Sequence, residues 1–245
     1  MKVKEVKAKS VLNKSGLPGL EYSLNPYKGC GHACIYCYAP SVLREKRKWG
    51  SFVEVKTNAP EILEKEASRK SKGLVGIGTV TDPYQPIEKK YKITRKCLEV
   101  LLKYGWPISI QTKSSLVLRD IDLIKKFRDK EIGFTIITTD DSARKRFEPG
   151  ASPIKERFRA LKELKKKGIK TWVFIGPIMP EVSDVENIIK KAKELGAGWI
   201  MIDKLRLRPG LGHLKELVKS YDWEKEKKKI FRIAKEHKIR CLSAF

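Results

Sequence analysis

The sequence lacks several features that define whole classes of protein. Its five cysteines are an odd count and three of them fall within eight positions, unlike the spread pairs of a secreted disulfide framework. No apolar run approaches the roughly 18 residues of a membrane-spanning helix. The N-terminal MKVKEVKAKS is basic and has no apolar signal core. These absences predict a cytoplasmic protein with reduced thiols and no membrane partner.

Acidic residues are scarce beside basic ones. The chain has 29 Asp and Glu against 54 Lys and Arg, which gives a formal net charge of +25. In lysine-rich hyperthermophile proteins Glu rises together with Lys, and here it does not. An excess of this size attracts polyanions, of which nucleic acid is the commonest. The composition therefore favours a nucleic-acid partner, with a merely basic soluble enzyme as the alternative.

Two kinds of segment alternate from position 74 onward. Short β-branched apolar runs, typical of buried parallel strands, are LVGIGTV, PISIQT, IGFTIITT, TWVFIGPI and GWIMIDK. Amphipathic helical stretches lie between them, and several end at a glycine, namely Gly105, Gly168 and Gly196. With a strand near EYSLNPY and a helix at APEILEKEASRKS, the pattern gives about six β/α units.

This pattern predicts an α/β fold in which right-handed crossovers curl a parallel sheet into a partial (β/α)6 barrel. Six units are too few for a closed eight-fold barrel. We predict one domain over residues 1–245, with a basic segment at about 1–20 and a closure by C-terminal helices at about 211–245. Functional residues are expected at the carboxyl ends of the strands.

The densest chemical signal is CGHACIYCY, which spaces Cys30, Cys34 and Cys37 as Cys-x3-Cys-x2-Cys. Three thiolates converging on one point bind a soft metal. One alternative is a closed zinc site in which His32 is the fourth ligand. The other is a [4Fe–4S] cluster that lacks a fourth cysteine, so that one iron stays open to an outside ligand. The spacing alone leaves both alternatives open.

This motif, with an aromatic residue before the third cysteine, resembles the signature of the radical S-adenosylmethionine (radical SAM) enzymes. The resemblance implies a partial six-fold β/α barrel in which the cysteine loop follows strand 1. It implies a [4Fe–4S] cluster on Cys30, Cys34 and Cys37, whose open iron chelates S-adenosylmethionine (SAM). It also implies SAM cleavage to a 5′-deoxyadenosyl radical, driven by a one-electron reductant such as ferredoxin or flavodoxin.

A longer resemblance covers NPYKGCGHACIYCYAP, TVTDPYQPIE, QTKSSL and RFEPGASPIKERFRALKEL, which are similar to the spore photoproduct lyase-related branch, often labelled DNA-repair photolyase-like. A C-x-Y-C-Y ending is typical of that branch and corresponds to Tyr36 and Tyr38. One such tyrosine is thought to relay a hydrogen atom in the true lyases. We expect Tyr38 on the substrate side, with a catalytic part, and Tyr36 on the cofactor side, where simple packing over the cluster is the alternative.

The resemblance also implies residues that contact SAM. Thr81 and Asp82 lie where the superfamily binds the methionine amino group, although Asp82 before a proline is also a common turn initiator. Lys113 matches a lysine that reaches SAM from strand 3, and we count it as both catalytic and cofactor-binding. Thr138 and Thr139 end strand 4 and are candidates for binding the ribose or the carboxylate.

The sequence departs from that branch at one informative position. Spore photoproduct lyases have a hydrogen-donating cysteine two residues before the Ser or Thr of the strand-2 motif, and here Thr79 stands in its place. A threonine O–H bond is too strong to release a hydrogen atom readily. The remaining cysteines, Cys97 and Cys241, are predicted to be small buried hydrophobic residues. Thymine-dimer reversal is therefore not implied.

RFEPGASPIKERFRAL has two interpretations. Arg146, with its neighbouring arginines, could clamp a substrate phosphate or carboxylate. Alternatively the segment is structural, with a Glu148–Arg157 ion pair and a helix start in which Ser152 is the N-cap and Pro153 the first residue.

Arg206 and Arg208, in KLRLRPG after strand 6, are further candidates for a substrate phosphate. The predicted function is a [4Fe–4S]-dependent radical SAM enzyme that abstracts hydrogen from a nucleic acid, either DNA or tRNA. The alternatives are a radical SAM enzyme acting on a peptide or small metabolite, and a non-catalytic zinc-stabilised nucleic-acid-binding protein.

Overall fold

The chain folds into an open, mostly parallel sheet with helices between its strands, in a computed structural model that describes all 245 residues. The strands are β1 (Lys2–Val6), β2 (Leu12–Lys14), β3 (Tyr22–Leu24), β4 (Tyr27–Gly29), β5 (Phe52–Lys56), β6 (Val75–Ile77), β7 (Ile108–Thr112), β8 (Lys130–Thr135), β9 (Lys170–Ile178), β10 (Trp199–Lys204) and β11 (Arg240–Ser243). The α-helices are α1 (Ala39–Val42), α2 (Ala59–Ala67), α3 (Glu88–Tyr91), α4 (Ile93–Lys103), α5 (Ile121–Ile124), α6 (Asp141–Phe147), α7 (Ile154–Lys166), α8 (Val185–Glu194) and α9 (Trp223–Glu236). Two 3₁₀ segments cover Ser115–Asp120 and Gly212–Val218.

The large sheet has the order β11-β10-β9-β8-β7-β6-β3-β2. Every neighbouring pair from β3 to β11 is parallel, and only β2 runs antiparallel to its neighbour. On β7 and β8 one face is apolar, with Ile108, Ile110 and Phe134 fully buried, while the other face carries Ser109, Gln111 and Glu131. The two edge strands do not pair with each other. The predicted α/β fold with an open, partial barrel is confirmed.

The predicted helix ends are also confirmed. Gly105, Gly168 and Gly196 each follow a helix with a positive φ, of 65°, 72° and 84°. The left-handed conformation is cheap for glycine because it has no Cβ. None of the helices is both long and apolar enough to cross a lipid bilayer.

The C-terminal closure is not purely helical, which corrects the prediction for residues 211–245. After α9 the chain forms β11, which pairs in parallel with β10 from Trp199↔Arg240 to Ile202↔Ser243. The sheet therefore has seven parallel strands rather than the six expected.

A second sheet was not predicted. It has the order β1-β5-β4, with β1 parallel and β4 antiparallel to β5. One face carries Tyr27, Val53 and Val55, which join the main core. Lys28 and Glu54, paired in the register, lie on the other face. The basic segment at about 1–20 is thus not a plain tail, since it supplies β1 and the edge strand β2.

Candidate active site

The cysteine segment follows β4 directly and lies at the carboxyl ends of the parallel strands. Gly29 opens it with a φ of +84°, and a Cβ there would lie 2.4 Å from the Phe52 carbonyl oxygen, so only glycine fits. Cys30 and Cys34 are buried and Cys37 is half-buried. Burial, followed by the nearby Asp82 carboxylate, raises the pKa of the Cys30 thiol to about 12. The three thiols are thus gathered at one shielded place.

The other two cysteines lie elsewhere. Cys97 is fully buried on α4 within the main core, and Cys241 is half-buried on β11. Cys97 agrees with the prediction of a small buried hydrophobic residue, whereas Cys241 is only partly buried against the main core.

The loop after β6 holds the start of the cysteine segment. The Thr81 hydroxyl donates to the Gly29 carbonyl at 2.7 Å. The Gln85 amide donates to the Thr81 hydroxyl at 3.0 Å, and its carbonyl oxygen accepts from the Gly31 N–H at 2.7 Å. Gln85 is fully buried, and the sequence analysis did not single it out although it lies within TVTDPYQP. Thr81 therefore positions the cysteine loop through its hydroxyl.

Asp82 is the most heavily hydrogen-bonded candidate. One carboxylate oxygen accepts from the Thr112 hydroxyl at 2.7 Å and from the Tyr84 N–H at 2.8 Å, which is the turn that the sequence offered as an alternative. The other accepts from the Lys113 N–H at 2.8 Å and lies 3.3 Å from His32 Nδ1. Burial opposes ionisation, but His32 and these donors outweigh it and lower the pKa of Asp82 to about 2.

The position of His32 bears on the zinc alternative. Its Nδ1 faces the Asp82 carboxylate, and no three His, Cys, Asp or Glu side chains in the chain come close enough to hold a single metal ion. A [4Fe–4S] cube places each thiolate on a different iron, so it needs cysteines that surround a space rather than converge on a point. The donor set, three cysteines and no fourth beside them, fits the cluster.

Tyr36 belongs to a buried chain of polar side chains beside the cysteines. Its hydroxyl donates to the Glu148 carboxylate, whose other oxygen lies 2.5 Å from the Arg157 guanidinium. The predicted Glu148–Arg157 ion pair is confirmed. Burial opposes the charge on Glu148, but Arg157 and then Lys113 outweigh it and lower its pKa. The Lys113 ammonium lies 5.7 Å from the centre of the Tyr36 ring.

Lys113 and Tyr38 lie beside the cysteines, Lys113 half-buried and Tyr38 more exposed. Burial disfavours the Lys113 ammonium, but the surrounding Cys34, Glu148 and Asp82 outweigh it and raise its pKa. Tyr38 is 41% exposed and its hydroxyl donates to the Thr79 carbonyl. The buried part of the ring and then Cys37 raise the Tyr38 pKa, while Lys113 and Arg208 act against the rise. Tyr38, Lys113 and Arg208 thus share one neighbourhood.

Thr79 itself is anchored on both sides, since its hydroxyl accepts from the Asn25 side-chain amide at 3.0 Å.

Thr138 and Thr139 do not end the fourth barrel strand, because β8 stops at Thr135. They lie in the following loop, where both are bonded within the protein. The Thr138 hydroxyl accepts from the Asp140 N–H at 3.1 Å. The Thr139 hydroxyl and N–H both donate to the Asp184 carboxylate, the N–H at 2.7 Å.

The three candidate arginines differ in how well they are paired. Arg206 lies 2.6 Å from the Asp203 carboxylate and donates to the Ala244 carbonyl at 2.7 Å. Arg146 is exposed on α6, with its guanidinium 4.7 Å from the Phe147 ring centre. Arg208 is exposed and forms no salt bridge. Only the last two are free to meet a substrate without first leaving a carboxylate.

The predicted start of α7 is wrong in detail. The helix begins at Ile154, so Pro153 is the cap, and the Ile154 N–H donates to the Asp141 carboxylate at 3.1 Å. Ser152 instead accepts from the Ser115 N–H at 3.0 Å and fastens the loop after β7.

Comparison with known proteins defines the class. The family profile described as the Radical SAM superfamily matches residues 24–192, more than two thirds of the chain. The chain belongs to the radical SAM superfamily.

Two curated relatives illustrate its range. An uncharacterized protein of Methanocaldococcus jannaschii is 42% identical over 191 residues, which are 77% of this chain and 72% of that protein. A protein of Pseudomonas phage M6 named Radical SAM Nα-GlyT isomerase is 26% identical over 182 residues, which cover 72% of this chain but only 38% of the phage protein.

Solved structures share the fold. Spore photoproduct lyase complexed with dinucleoside spore photoproduct superposes with a TM-score of 0.72 at 14% identity, covering 99% of this chain and 82% of the lyase. Streptococcus suis SuiB bound to S-adenosylmethionine superposes with a TM-score of 0.62 at 12% identity, covering 91% of this chain and 49% of SuiB. These likenesses establish a spore photoproduct lyase-like radical SAM fold.

Proposed function

We propose that this chain is a [4Fe–4S]-dependent radical SAM enzyme and that its substrate is a nucleic acid. The observation that carries the first part is the donor set: three buried or half-buried cysteines, spaced as the family requires, gathered where the parallel strands end. Cys30, Cys34 and Cys37 would hold the cluster. When bound, the cluster supplies the electron that cleaves SAM to methionine and a 5′-deoxyadenosyl radical.

The residues around the cysteines would each have a part. Lys113, whose pKa is raised, keeps an ammonium beside the thiols that suits the SAM carboxylate. Asp82 holds the Lys113 backbone and the His32 side chain, so it orders the site even before any contact with a methionine amino group. Tyr36 closes the inner wall through Glu148, and Tyr38 faces the opening on the substrate side.

Thr138 and Thr139 have bonded hydroxyls, so they would meet a ribose or carboxylate through a shared hydrogen bond or through the loop that they shape.

The nucleic-acid part of the proposal has separate support. The formal net charge is +25, Arg146 and Arg208 are exposed cations, and Arg208 neighbours Tyr38. The lyase of like fold binds a dinucleoside spore photoproduct. Binding to phosphates releases counterions, so we expect affinity for DNA or tRNA to fall steeply with salt. Affinity that is unchanged between about 50 and 200 mM salt would contradict this part.

Reversal of the spore photoproduct itself is not proposed, because Thr79 stands where the resemblance places the hydrogen-donating cysteine of the lyases. Incubation with dinucleoside spore photoproduct should yield no repaired thymines. Repair at a rate above that without SAM would overturn this.

The decisive experiment measures 5′-deoxyadenosine from anaerobically reconstituted protein supplied with SAM and dithionite, together with its iron, sulfide and zinc content. Cys34→Ala is run in parallel, and Cys241→Ala is the matched control because that thiol lies on β11 away from the site. Product from the wild type and the control, lost in Cys34→Ala, is the expected result. A zinc-loaded, colourless protein without product would refute the proposal.

A further inference from the structure

Basic residues are divided unevenly between the two ends of the large sheet. At the end away from the cysteines, the connections from a helix to the first residue of the next strand hold eleven Lys and Arg against one acidic residue, Asp129. These connections, here called the amino-end surface, are residues 68–75, 104–108, 125–130, 167–170, 195–199 and 237–240.

The cysteine end of the sheet has no such excess. There we count the cysteine segment and the connections from the last residue of a large-sheet strand to the next helical segment. Together they hold four Lys and Arg and four Asp and Glu, over residues 29–38, 77–87, 112–114, 135–140, 178–184 and 204–211. The positive charge of the connections is thus concentrated opposite the candidate active site.

Helix dipoles and ion pairs do not account for the basic residues of the amino-end surface. The negative end of a helix dipole attracts cations only within the last turn, and all eleven lie beyond the last residue of their helix. Lys70 is paired with Glu66, and Lys130 donates to the Phe127 carbonyl at 2.7 Å. The other nine are exposed and form no salt bridge; they are Arg69, Lys72, Lys125, Lys126, Arg128, Lys167, Lys170, Lys238 and Arg240.

The connections that carry these cations adjoin one another along the sheet. Each contacts the next through a hydrogen bond, a strand pairing or a lysine side chain. From β6 to β11 the contacts are Lys72 Nζ, 3.4 Å from where a Cβ on Gly105 would lie, the Ile108 N–H to the Asp129 carbonyl at 3.1 Å, the Glu131↔Lys170 pairing, the Gly198 N–H to the Thr171 carbonyl at 2.8 Å, and the Lys193 ammonium to the Lys238 carbonyl at 2.7 Å. The nine free cations therefore share one continuous surface.

The composition of this surface distinguishes between kinds of anionic partner. Proteins that lie on lipid insert exposed apolar side chains, and none of the exposed large hydrophobic residues of the chain belongs to the amino-end surface. Interfaces with other proteins are depleted in lysine, whereas eight of the eleven cations here are lysines. Lysine is a usual partner of phosphate groups, which are spaced regularly along a nucleic-acid backbone.

We infer that the amino-end surface is a second nucleic-acid-binding surface, which holds the sugar–phosphate backbone of DNA or RNA at the end of the sheet opposite the cysteines. The inference rests on the proposed function for its choice of partner. Contacts to phosphates alone do not read a sequence, so this surface supplies affinity that is independent of sequence and strongly dependent on salt. Its distance from the cysteines separates holding the nucleic acid from the chemistry.

Two amino-end variants test the inference, each of which neutralises two lysines and one arginine. The first combines Lys125→Gln, Lys126→Gln and Arg128→Gln. The affinity of the reconstituted protein is measured by fluorescence anisotropy across a salt series, with a labelled DNA duplex of arbitrary sequence and with bulk tRNA. The slope of log affinity against log salt should fall by about 2 to 3, and the affinity at about 0.1 M salt should fall at least tenfold.

The second amino-end variant combines Lys167→Gln, Lys170→Gln and Arg240→Gln, which lie in different connections of the same surface. It should reproduce both losses. The inference therefore does not depend on the folding of a single variant.

The matched control combines Arg44→Gln, Lys46→Gln and Lys48→Gln, again one arginine and two lysines that are exposed and form no salt bridge. These residues lie between α1 and β5, after the cysteine segment. The control changes net charge equally but should keep its affinity within about threefold of the wild type and its salt slope within about 1. All three variants should form 5′-deoxyadenosine with dithionite as the wild type does, because the changed residues lie outside the candidate active site.

Equal losses of nucleic-acid affinity in all three variants would overturn the inference, because net charge alone would then explain them. A loss confined to the control would also overturn it, since the nucleic acid would then bind at the cysteine end, and the proposed function would stand. Amino-end variants that lose binding to phosphatidylglycerol vesicles but keep their affinity for the duplex and tRNA would reassign the surface to lipid. A wild type that makes no 5′-deoxyadenosine with dithionite would instead count against the proposed function, so the two failures are distinguishable.

Discussion

The cysteine segment is flanked by two buried chains built from the same three side chains, tyrosine, glutamate and arginine, and the two chains end differently. In the first, Tyr27 on β4 donates to Glu88, which lies 2.6 Å from Arg119. Arg119 also pairs with Asp120 at 2.8 Å, and Asp120 in turn accepts from Arg95. This chain continues outward to the surface, because Arg119 is 21% and Arg95 27% exposed.

The second chain is closed. Tyr36 donates to Glu148, which pairs with Arg157, and both charged side chains are 0% exposed. Arg157 donates other N–H groups to the backbone carbonyls of Ser152 and Thr135, both at 2.9 Å. No second carboxylate stands ready to replace Glu148. The comparison indicates that the first chain fastens the fold, whereas the second also fixes a charge pair beside the cysteines.

The largest expected effect comes from removing each glutamate in turn. Glu148→Gln leaves a fully buried arginine uncompensated, and breaking a buried ion pair from one side costs about 3–5 kcal/mol. Glu88→Gln should cost about 1–3 kcal/mol, because Arg119 keeps Asp120. Urea unfolding of the cluster-free protein at pH 7 measures both. An equal or larger loss of unfolding free energy in Glu88→Gln would contradict the distinction between the two chains.

The two tyrosines sharpen the comparison. Tyr36→Phe and Tyr27→Phe each remove a hydrogen bond to a charged group, worth about 1.5–3 kcal/mol of the free energy of unfolding. Only Tyr36→Phe should also shift the midpoint potential of the reconstituted cluster, because it frees negative charge on Glu148 beside the cysteines. Electrochemical titration monitored by electron paramagnetic resonance measures that potential. The same shift in both variants would contradict a special role for the second chain.

The sequence predicted those parts of the fold that depend on local pattern. Runs such as TWVFIGPI are short, apolar on both faces and rich in β-branched residues, which indicates buried strands, and glycines mark the helix ends. The sequence did not predict β11 because RCLS is only partly apolar, and this strand forms through its pairing with β10. β1, KVKEV, is almost wholly exposed and exists because β5 pairs with it.

The same limit applies to the site. The Glu148–Arg157 pair was predictable because the two residues are nine apart in one motif. Tyr36 and Glu148 are 112 positions apart, and the Asp82 carboxylate meets Thr112 30 positions away. Such contacts follow from which strands become neighbours, which the sequence motifs do not state. Candidate residues were therefore found more readily than their partners.

Acid should reduce the contribution of the second chain, Tyr36–Glu148–Arg157, to the free energy of unfolding. The pKa of Glu148 is lowered in the folded protein, whereas an unfolded glutamate titrates near about 4.3. Its stabilisation is thus complete above that value and is lost as the pH falls through the folded pKa. The difference in unfolding free energy between wild type and Glu148→Gln should be constant from about pH 7 to 5 and narrow below about 4. A gap that widens in acid would contradict this assignment.

The smallest expected effect comes from comparing a paired with an unpaired arginine, Arg206 with Arg208. Arg206 is already held by Asp203, whereas Arg208 has no acidic partner. If a nucleic acid passes this edge, Arg208→Ala should reduce the slope of log affinity against log salt by about 1, since one phosphate contact is lost. Arg206→Ala should change it much less, because that guanidinium would first have to leave its carboxylate. Oligonucleotide binding across a salt series measures both slopes. Equal changes of slope in the two variants would mean that the Arg206–Asp203 ion pair opens at little cost when a phosphate arrives. Ion pairing in the free protein would then not predict which arginine contacts the substrate.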